Sequence, residues 1–148
     1  IEKISIKNIP KMVRKYLVQD EQSLLSIINY CSLIDKIMEK ECYLVLPHWR
    51  TTYNSIQVEI DSFYVSCEED LLTIEAKIRE KEKHLTVDQI VSHYKAAKEK
   101  YPDKEIIPIA AVLLKDNTII LMSFNLQNNE ILSINNTRRF ALDPPLWD

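Results

Sequence analysis

The chain has 148 residues, of which 46% are hydrophobic and 28% are charged, and its formal net charge is −3 at pH 7. This length suits one domain with a sizeable core, and no apolar run approaches the roughly 20 residues of a membrane span or forms the apolar core of an N-terminal secretory signal. The negative net charge argues against a polyanion-binding surface, although it is compatible with a local basic patch.

The first predicted element is a helix from about residue 20 to about residue 40. Asp20 stands where an N-cap is needed, because its carboxylate can accept a hydrogen bond from the first turn. Apolar residues recur at helical spacing at Leu24, Ile27, Ile28, Cys31, Ile34 and Met38. This stripe predicts that one face of the helix, including Cys31, packs against a core.

Three strands are predicted next, over about residues 42–46, 55–67 and 71–78, with an irregularity near Asp61. The last two strands flank the acidic sequence 68–70, which predicts a hairpin. The residues of the third strand that are expected to face the core are Leu72, Ile74, Ala76 and Ile78.

A second helix is predicted to follow. Thr86 and Gln89 can form a capping box, Leu85 and Ile90 can form a hydrophobic staple, and Pro102 marks the end of the element. The predicted buried stripe consists of Val87, Ile90, Val91, Tyr94 and Ala97.

The remaining predicted strands cover about residues 106–115, 118–126 and 130–134. The chain contains no glycine, so Asn and Asp are expected at the turns, because they tolerate left-handed backbone best among the other residues. The sequence KDNT (115–118) predicts a two-residue hairpin, and further turns are predicted at 127–130 and 134–137.

This order of elements predicts an α/β fold with a mixed β-sheet flanked by helices. The first strands would form a meander, and the strand after the second helix would return parallel through a right-handed crossover. Without an internal repeat or a low-complexity linker, we expect a single domain over residues 1–148 with its core at about 20–126. Because the chain begins with Ile rather than Met, we expect it to be a piece of a longer protein.

The predicted hairpin brings charged residues together. A hairpin centred on Glu69 places Asp61 opposite Lys77. The two-residue period of a strand puts Glu75 and Lys77 together on the face that does not carry the apolar residues. Asp61, Glu75 and Lys77 should therefore share one face, and Glu59 joins them if its strand remains regular.

Such a cluster suits a divalent cation. Two carboxylates at close range repel each other unless a cation lies between them, and Mg²⁺ commonly takes one or two carboxylates plus a phosphate oxygen. We therefore predict that Asp61, Glu75 and the backbone carbonyl of Ala76 bind Mg²⁺, for which Mn²⁺ can substitute. The ion would polarise a phosphate and acidify a water, which Lys77 would orient or deprotonate.

Asp61, followed after residues 62–74 by the triplet Glu75-Ala76-Lys77, resembles the motif of the PD-(D/E)xK nuclease superfamily, which includes the type II restriction endonucleases. The predicted elements over roughly residues 20–115 are similar to the αβββαβ core of that superfamily. The resemblance implies that Asp61 and Glu75 are metal ligands and that Lys77 is the catalytic lysine.

The resemblance also indicates a second tier of site residues. Some members use an acid from the first core helix, for which Glu39 or Glu41 is the nearest candidate, and some carry a glutamine on the helix after the motif, where Gln89 stands. The sequence departs from the pattern at Ile60, where the motif has proline, and this departure lowers the specificity of the match.

The function implied by the resemblance is that of a Mg²⁺-dependent endonuclease that hydrolyses DNA phosphodiester bonds, as a type II restriction endonuclease or its catalytic domain. Cutting both strands of a duplex requires two sites, so a homodimer or association with a recognition domain or subunit is expected. The cysteines Cys31, Cys42 and Cys67 lie far apart without paired spacing, which predicts neither a zinc site nor a disulfide framework and favours a reducing cytoplasm.

Several alternatives stay open. Glu75 and Lys77 can instead belong to a solvated strand face, and the segment after Glu68 can form a helix, since its apolar residues also fit a helical stripe. The sequence AAVLLKDNTIILMSF is loosely similar to structural subunits of the tRNA-splicing endonuclease, which would make the protein a non-catalytic partner in an RNA-processing complex. The acidic charge is also compatible with an inhibitor or immunity-type binding protein.

Other candidate residues carry weaker signals. His48, His84 and His93 have no partner at metal or triad spacing, and His93 is expected at the surface or edge of its helix. The basic run from Lys77 to His84, and the pair Arg138-Arg139, have the charge to contact a phosphate backbone.

Overall fold

The computed structural model describes residues 1–78 and 87–147, apart from the side chain of Leu132. Its helices are α1 (Lys11–Tyr16), α2 (Glu21–Tyr30), α3 (Leu33–Met38) and α4 (Val87–Lys100). Its strands are β1 (Glu2–Ser5), β2 (Cys42–Leu46), β3 (Trp49–Tyr53), β4 (Ile56–Ile60), β5 (Ser62–Ser66), β6 (Leu71–Ile78), β7 (Ile106–Leu113), β8 (Ile119–Gln127) and β9 (Glu130–Asp143). Within these residues, every helix is too short or too polar to cross a bilayer.

Seven strands form one mixed sheet in the order β1-β9-β8-β7-β6-β5-β2, and β3 and β4 form a separate hairpin. The strands β2, β5 and β6 make an antiparallel meander. After α4, the chain returns in β7, which pairs parallel with β6. The predicted α/β class with a mixed sheet is therefore confirmed.

Helices cover both faces of this sheet. On one face, α2 packs against β6, and α3 packs against β2, β8 and β9. Their shared core includes Leu24, Ile27, Leu33, Ile34, Leu72, Ile74, Ala76 and Ile78. On the other face, α4 packs with Ile90 against Ala110 and with Ala97 against Leu71. The side chains of β6 that alternate with the apolar set therefore lie beneath α4.

The first predicted helix is two helices. Its N-cap is confirmed, because Asp20 Oδ1 accepts a hydrogen bond of 2.7 Å from the Ser23 amide. The helix is interrupted at Ser32, whose φ of 54° is left-handed. This break lets α3 turn so that Leu33, Ile34 and Ile37 are buried, which one continuous helix would not achieve.

Most strand predictions agree with the structure, but the predicted strand 55–67 is two strands, because the chain bends at Asp61 and β4 pairs with β3 instead of joining the large sheet. The predicted bounds of β2 and β6 are confirmed, and the predicted irregularity lies at Asp61, between β4 and β5. The predicted turn at 134–137 is wrong: β9 continues to Asp143, and the register opposite β8 skips one residue there. The elements β1, α1 and β3 were not predicted, because their short polar sequences carry little periodicity.

The turns use the residues that the lack of glycine requires. Asn117, Asn128 and Asn129 have positive φ values of 67°, 54° and 62°. The KDNT hairpin is confirmed, with β7 and β8 on either side of Asn117. The predicted two-residue loop is wrong: the loop is residues 115–117, because the Leu114 amide still donates to the Thr118 carbonyl at 2.9 Å. The predicted capping residues Leu85 and Thr86 lie outside the described residues, as do the basic run 79–84 and its His84.

Candidate functional site

The register of the β5–β6 hairpin determines which residue of β6 lies opposite Asp61. Ser62 pairs with Ile74 and Val65 pairs with Leu71, so Asp61 lies level with Glu75, and the prediction that it lies opposite Lys77 is wrong by two residues. The turn explains the shift, because the Ser66 hydroxyl accepts hydrogen bonds from the Glu68 and Asp70 amides, at 3.2 and 3.1 Å. A two-residue shift preserves the face of every side chain.

Asp61 ends the pairing between the two strands. Its backbone amide donates to the Ile74 carbonyl at 3.1 Å, and its Oδ2 accepts from the Ala76 amide at 2.8 Å. The amide and the carbonyl of one strand residue point toward the same neighbour. The Ala76 carbonyl therefore faces the gap that the Asp61 side chain occupies.

Glu75 is buried beneath α4, with only 4% of its surface exposed. Lys77 Nζ lies 3.2 Å from its Oε1, and His93 Nε2 lies 3.3 Å from its Oε2. The side chain of Lys77 is 14% exposed. Both alternative interpretations of this segment are therefore wrong, since residues 71–78 form a strand and Glu75 does not lie on a solvated face.

The carboxyl groups of Asp61 and Glu75 lie close enough for each to act on the pKa of the other. Burial, and next the charge of Asp61, raise the pKa of Glu75 to about 7. Burial also raises the pKa of Asp61, against the hydrogen bond from the Ala76 amide. Near neutral pH the pair therefore tends to retain a proton, and a cation between the carboxylates would replace that proton.

His93 is the site residue that the sequence did not reveal. The prediction of a surface or edge position is wrong, because His93 is 4% exposed and faces the sheet. Burial lowers its pKa to about 4, so the ring is neutral and can donate from Nε2 to Glu75. The missed signal is the spacing of Ile90, His93 and Ala97, which lie at i, i+3 and i+7 on the buried face of α4.

The second-tier candidates lie at different distances from the pair. Glu59 is exposed and binds Arg50 at 3.3 Å, because the bend at Asp61 ends the alternation that would have carried it into the cluster. Gln89 is half-buried on α4, one turn before His93.

The acid predicted from the first core helices is misplaced. Glu39 is exposed at the left-handed C-cap of α3, with a φ of 56°, and Glu41 accepts a hydrogen bond from Tyr43 at 2.7 Å. The helical acid whose charge raises the pKa of Asp61 is Glu21, in the first turn of α2. The prediction chose the C-terminal end of the helical segment, whereas the N-terminal end is the one near Asp61.

The ligand set suits a cation that keeps several waters. Among residues 1–78 and 87–147, no group of three or more His, Cys, Asp or Glu side chains is arranged to hold a metal ion. Two carboxylates and the Ala76 carbonyl would leave positions open to water and substrate, which is the arrangement that Mg²⁺ favours. The donor chemistry therefore fits Mg²⁺, as opposed to a caged structural metal.

Comparisons with known proteins place the chain in a family. No curated protein and no solved structure matches it. The family described as "Domain of unknown function (DUF6997)" matches residues 47–141, a range that contains Asp61, Glu75, Lys77 and His93 and excludes Glu21. Because this match covers more than half of the residues of the chain, the chain belongs to the DUF6997 family.

Proposed function

We propose that the protein is a Mg²⁺-dependent endonuclease that hydrolyses DNA phosphodiester bonds. The observation that carries the proposal is the pairing of Asp61, which is half-buried, with the buried Glu75, next to a lysine. Two such acids can both ionise only if positive charge lies between them. A divalent cation supplies that charge more completely than Lys77 alone.

Each residue has a role that follows from its position. Asp61, Glu75 and the Ala76 carbonyl would hold the cation, which when bound supplies charge against phosphate oxygens and acidifies water. The ammonium group of Lys77, 3.2 Å from Glu75, would orient the attacking water and offset negative charge in the transition state. His93 acts through Glu75 by holding its second oxygen, so it is a positioning residue.

The arrangement of the elements supports the resemblance to restriction endonucleases. Apart from the inserted hairpin β3-β4, the meander β2-β5-β6, the helix α4 and the parallel strand β7 follow each other along the chain as in an αβββαβ core. One chain contributes one candidate site, so double-strand cleavage would require a homodimer or a recognition partner.

The first test is nicking of supercoiled plasmid DNA in Mg²⁺ or Mn²⁺. We predict that Lys77→Met lowers the rate by about 10²-fold or more, because the charge beside the reacting phosphate is lost. The matched control is Lys40→Met. Lys40 is also a lysine paired with an acid of the β5–β6 hairpin, since its Nζ lies 2.7 Å from Asp70 Oδ2 in the turn. The control should nick at the wild-type rate.

Circular dichroism of each variant checks that the sheet is intact. Nicking that persists at the wild-type rate in Lys77→Met would contradict the proposal, and so would a wild-type protein that fails to nick in either metal ion.

One observation favours a second candidate function. Both oxygens of Glu75 already have partners, so the cluster can be complete as a buried polar network without a metal. The protein would then be a non-catalytic binding subunit, such as a structural partner in an RNA-processing complex or an inhibitor. Stable association with a larger subunit, without heat on titration with Mg²⁺, would favour this candidate.

A further inference from the structure

The basic charge of the chain is concentrated at its N-terminus. Residues 1–16 contain one acid, Glu2, and five basic residues, which are Lys3, Lys7, Lys11, Arg14 and Lys15. This segment therefore carries a net charge of +4, and the other 132 residues carry −7. The charge of the whole chain hides this separation.

The N-terminal cations are not compensated within the protein. In the part of the chain that the structure describes, none of the five takes part in an ion pair, and the four lysines are exposed. Glu2, the acid of this segment, is itself neutralised by Lys36 at 3.1 Å and by Arg138. The segment therefore presents a field that attracts anions.

Beside this segment lies a cavity of about 510 Å³ between β1, the start of α1 and the end of α2. Its walls include Lys3, Asn8, Tyr30 and Ser32, and also Lys36 with its ion-pair partner Glu2. The ring of Tyr30 is 53% exposed. The walls thus combine the charge of Lys3, which is unpaired among the described residues, with uncharged hydrogen-bonding groups and the exposed side chain of Tyr30.

A smaller depression of about 100 Å³ lies beside this cavity, along α2. Tyr30 lines both, and the polar lining of the second consists of Gln22, Ser26, Asn29, Ser62 and Tyr64. Ser62 directly follows Asp61. We call the cavity and this depression together the α2 track.

The dimensions of the track fit a nucleic acid. Glu21, whose charge acts on Asp61, and Tyr30 lie at opposite ends of α2, and their separation of nine residues corresponds to about 14 Å of helix. Along B-DNA this length spans about four base pairs. Lysine, Asn, Gln, Ser and Tyr are the side chains that usually contact phosphates and sugars.

We infer that the α2 track binds the sugar-phosphate backbone of a nucleic acid and leads it toward Asp61. This inference rests on the proposed function, because it assigns the substrate contacts of the same site. The uncompensated lysines supply the affinity, and the uncharged groups along α2 supply the register. The negative charge elsewhere confines the nucleic acid to this side of the molecule.

The test measures binding without cleavage, by fluorescence anisotropy of a labelled DNA duplex and a labelled single strand in metal-free buffer. The double variant Lys3→Gln/Lys11→Gln should bind roughly tenfold or more weakly at 0.1 M salt. Its slope of log K against log[salt] should be smaller by about two, since two phosphate contacts are lost. Tyr30→Ala should weaken the single-strand complex more than the duplex complex, because an unpaired base can stack on the ring.

The matched control is Lys100→Gln/Lys115→Gln, which removes two exposed lysines outside the track and should change neither the affinity nor the slope by a comparable amount. Equal losses in the two double variants would overturn the inference, as would a wild-type protein that binds vesicles of phosphatidylserine but neither oligonucleotide. Failure of the metal site would instead appear as absent nicking with nucleic acid binding intact, so the two failures are distinguishable.

Discussion

At the scale of single residues, the site depends on how Glu75 is held. Its two oxygens contact an ammonium group and an imidazole, and its carboxyl group lies next to that of Asp61. Burial acts on these groups in opposite directions, since it raises the pKa of a carboxyl and lowers that of an imidazole. Glu75 and His93 therefore both favour their neutral forms in the metal-free protein.

These two shifts predict opposite pH dependences of stability. The variant His93→Gln keeps the raised pKa of Glu75. Its Glu75 carboxyl ionises above pH 4.5 in the unfolded chain but only near pH 7 in the folded chain. The free energy of unfolding should therefore fall as the pH rises between these values. The variant Glu75→Gln keeps the lowered pKa of His93. Its His93 imidazole takes up a proton below pH 6.5 in the unfolded chain but only near pH 4 in the folded chain. The free energy of unfolding should therefore rise with pH between these values.

Each change in the free energy of unfolding should be about 3 kcal/mol. Urea unfolding in EDTA at half-unit pH steps measures both variants. Slopes of the same sign in the two variants would show that burial does not control the ionisation of this pair.

At this scale the sequence predicted part of the site. The two-residue period of β6 was enough to place Glu75 and Lys77 together and away from the apolar set. His93 could not be found by motif spacing, because its partner lies on a different element and 18 positions away. Glu21 was missed because the break at Ser32 was not visible in the apolar stripe.

At the scale of elements, the β5–β6 hairpin shows which errors a prediction tolerates. The register was wrong by two residues, yet Asp61 stays on the face of Glu75, because only an odd shift would move it to the other face. The Ser66 hydroxyl bonds that set the register depend on one side chain in the turn, and no periodicity encodes them.

The absence of glycine makes one helix end a useful test. Glu39 ends α3 with a left-handed φ of 56°. This conformation is unfavourable for a residue that has a Cβ atom and is not unfavourable for glycine. Glu39→Gly should therefore raise the free energy of unfolding by about 0.5–1 kcal/mol. The same change at the exposed Glu99, in the last turn of α4, should lower it, by at most about 1 kcal/mol.

Thermal or urea unfolding of the two variants measures this difference in sign. Plasmid nicking should be unchanged in Glu39→Gly, because Glu39 lies at the exposed cap of α3. Destabilisation by Glu39→Gly, or loss of nicking in a stable Glu39→Gly protein, would contradict this account of α3.

At the scale of the whole molecule, the two faces of the mixed sheet differ: one forms the apolar core and the other carries the candidate site. The face covered by α2 and α3 is apolar along β6, and the face covered by α4 contains the buried charges. The order of the core strands was predictable because the meander and the right-handed crossover are general rules. The N-terminal strand β1 was not, because it pairs with β9 at the far end of the chain.

The charge distribution also appears only at this scale. The composition argued against a polyanion-binding surface, yet residues 1–16 carry a net charge of +4, and Lys3 of this segment lines a cavity in which the acid Glu2 is paired with Lys36. A net charge describes the sum of a surface and says little about any one side of it.

The central claim is that Asp61 and Glu75 hold a divalent cation, and calorimetric titration of the metal-free protein with Mg²⁺ and Mn²⁺ at pH 8 tests it most directly. We predict saturable binding by the wild type and its loss in Asp61→Asn. The matched variant Asp70→Asn, which changes an acid in the same hairpin that binds Lys40 at 2.7 Å, should retain it. A wild-type titration without heat, or equal binding by Asp61→Asn, would contradict the account.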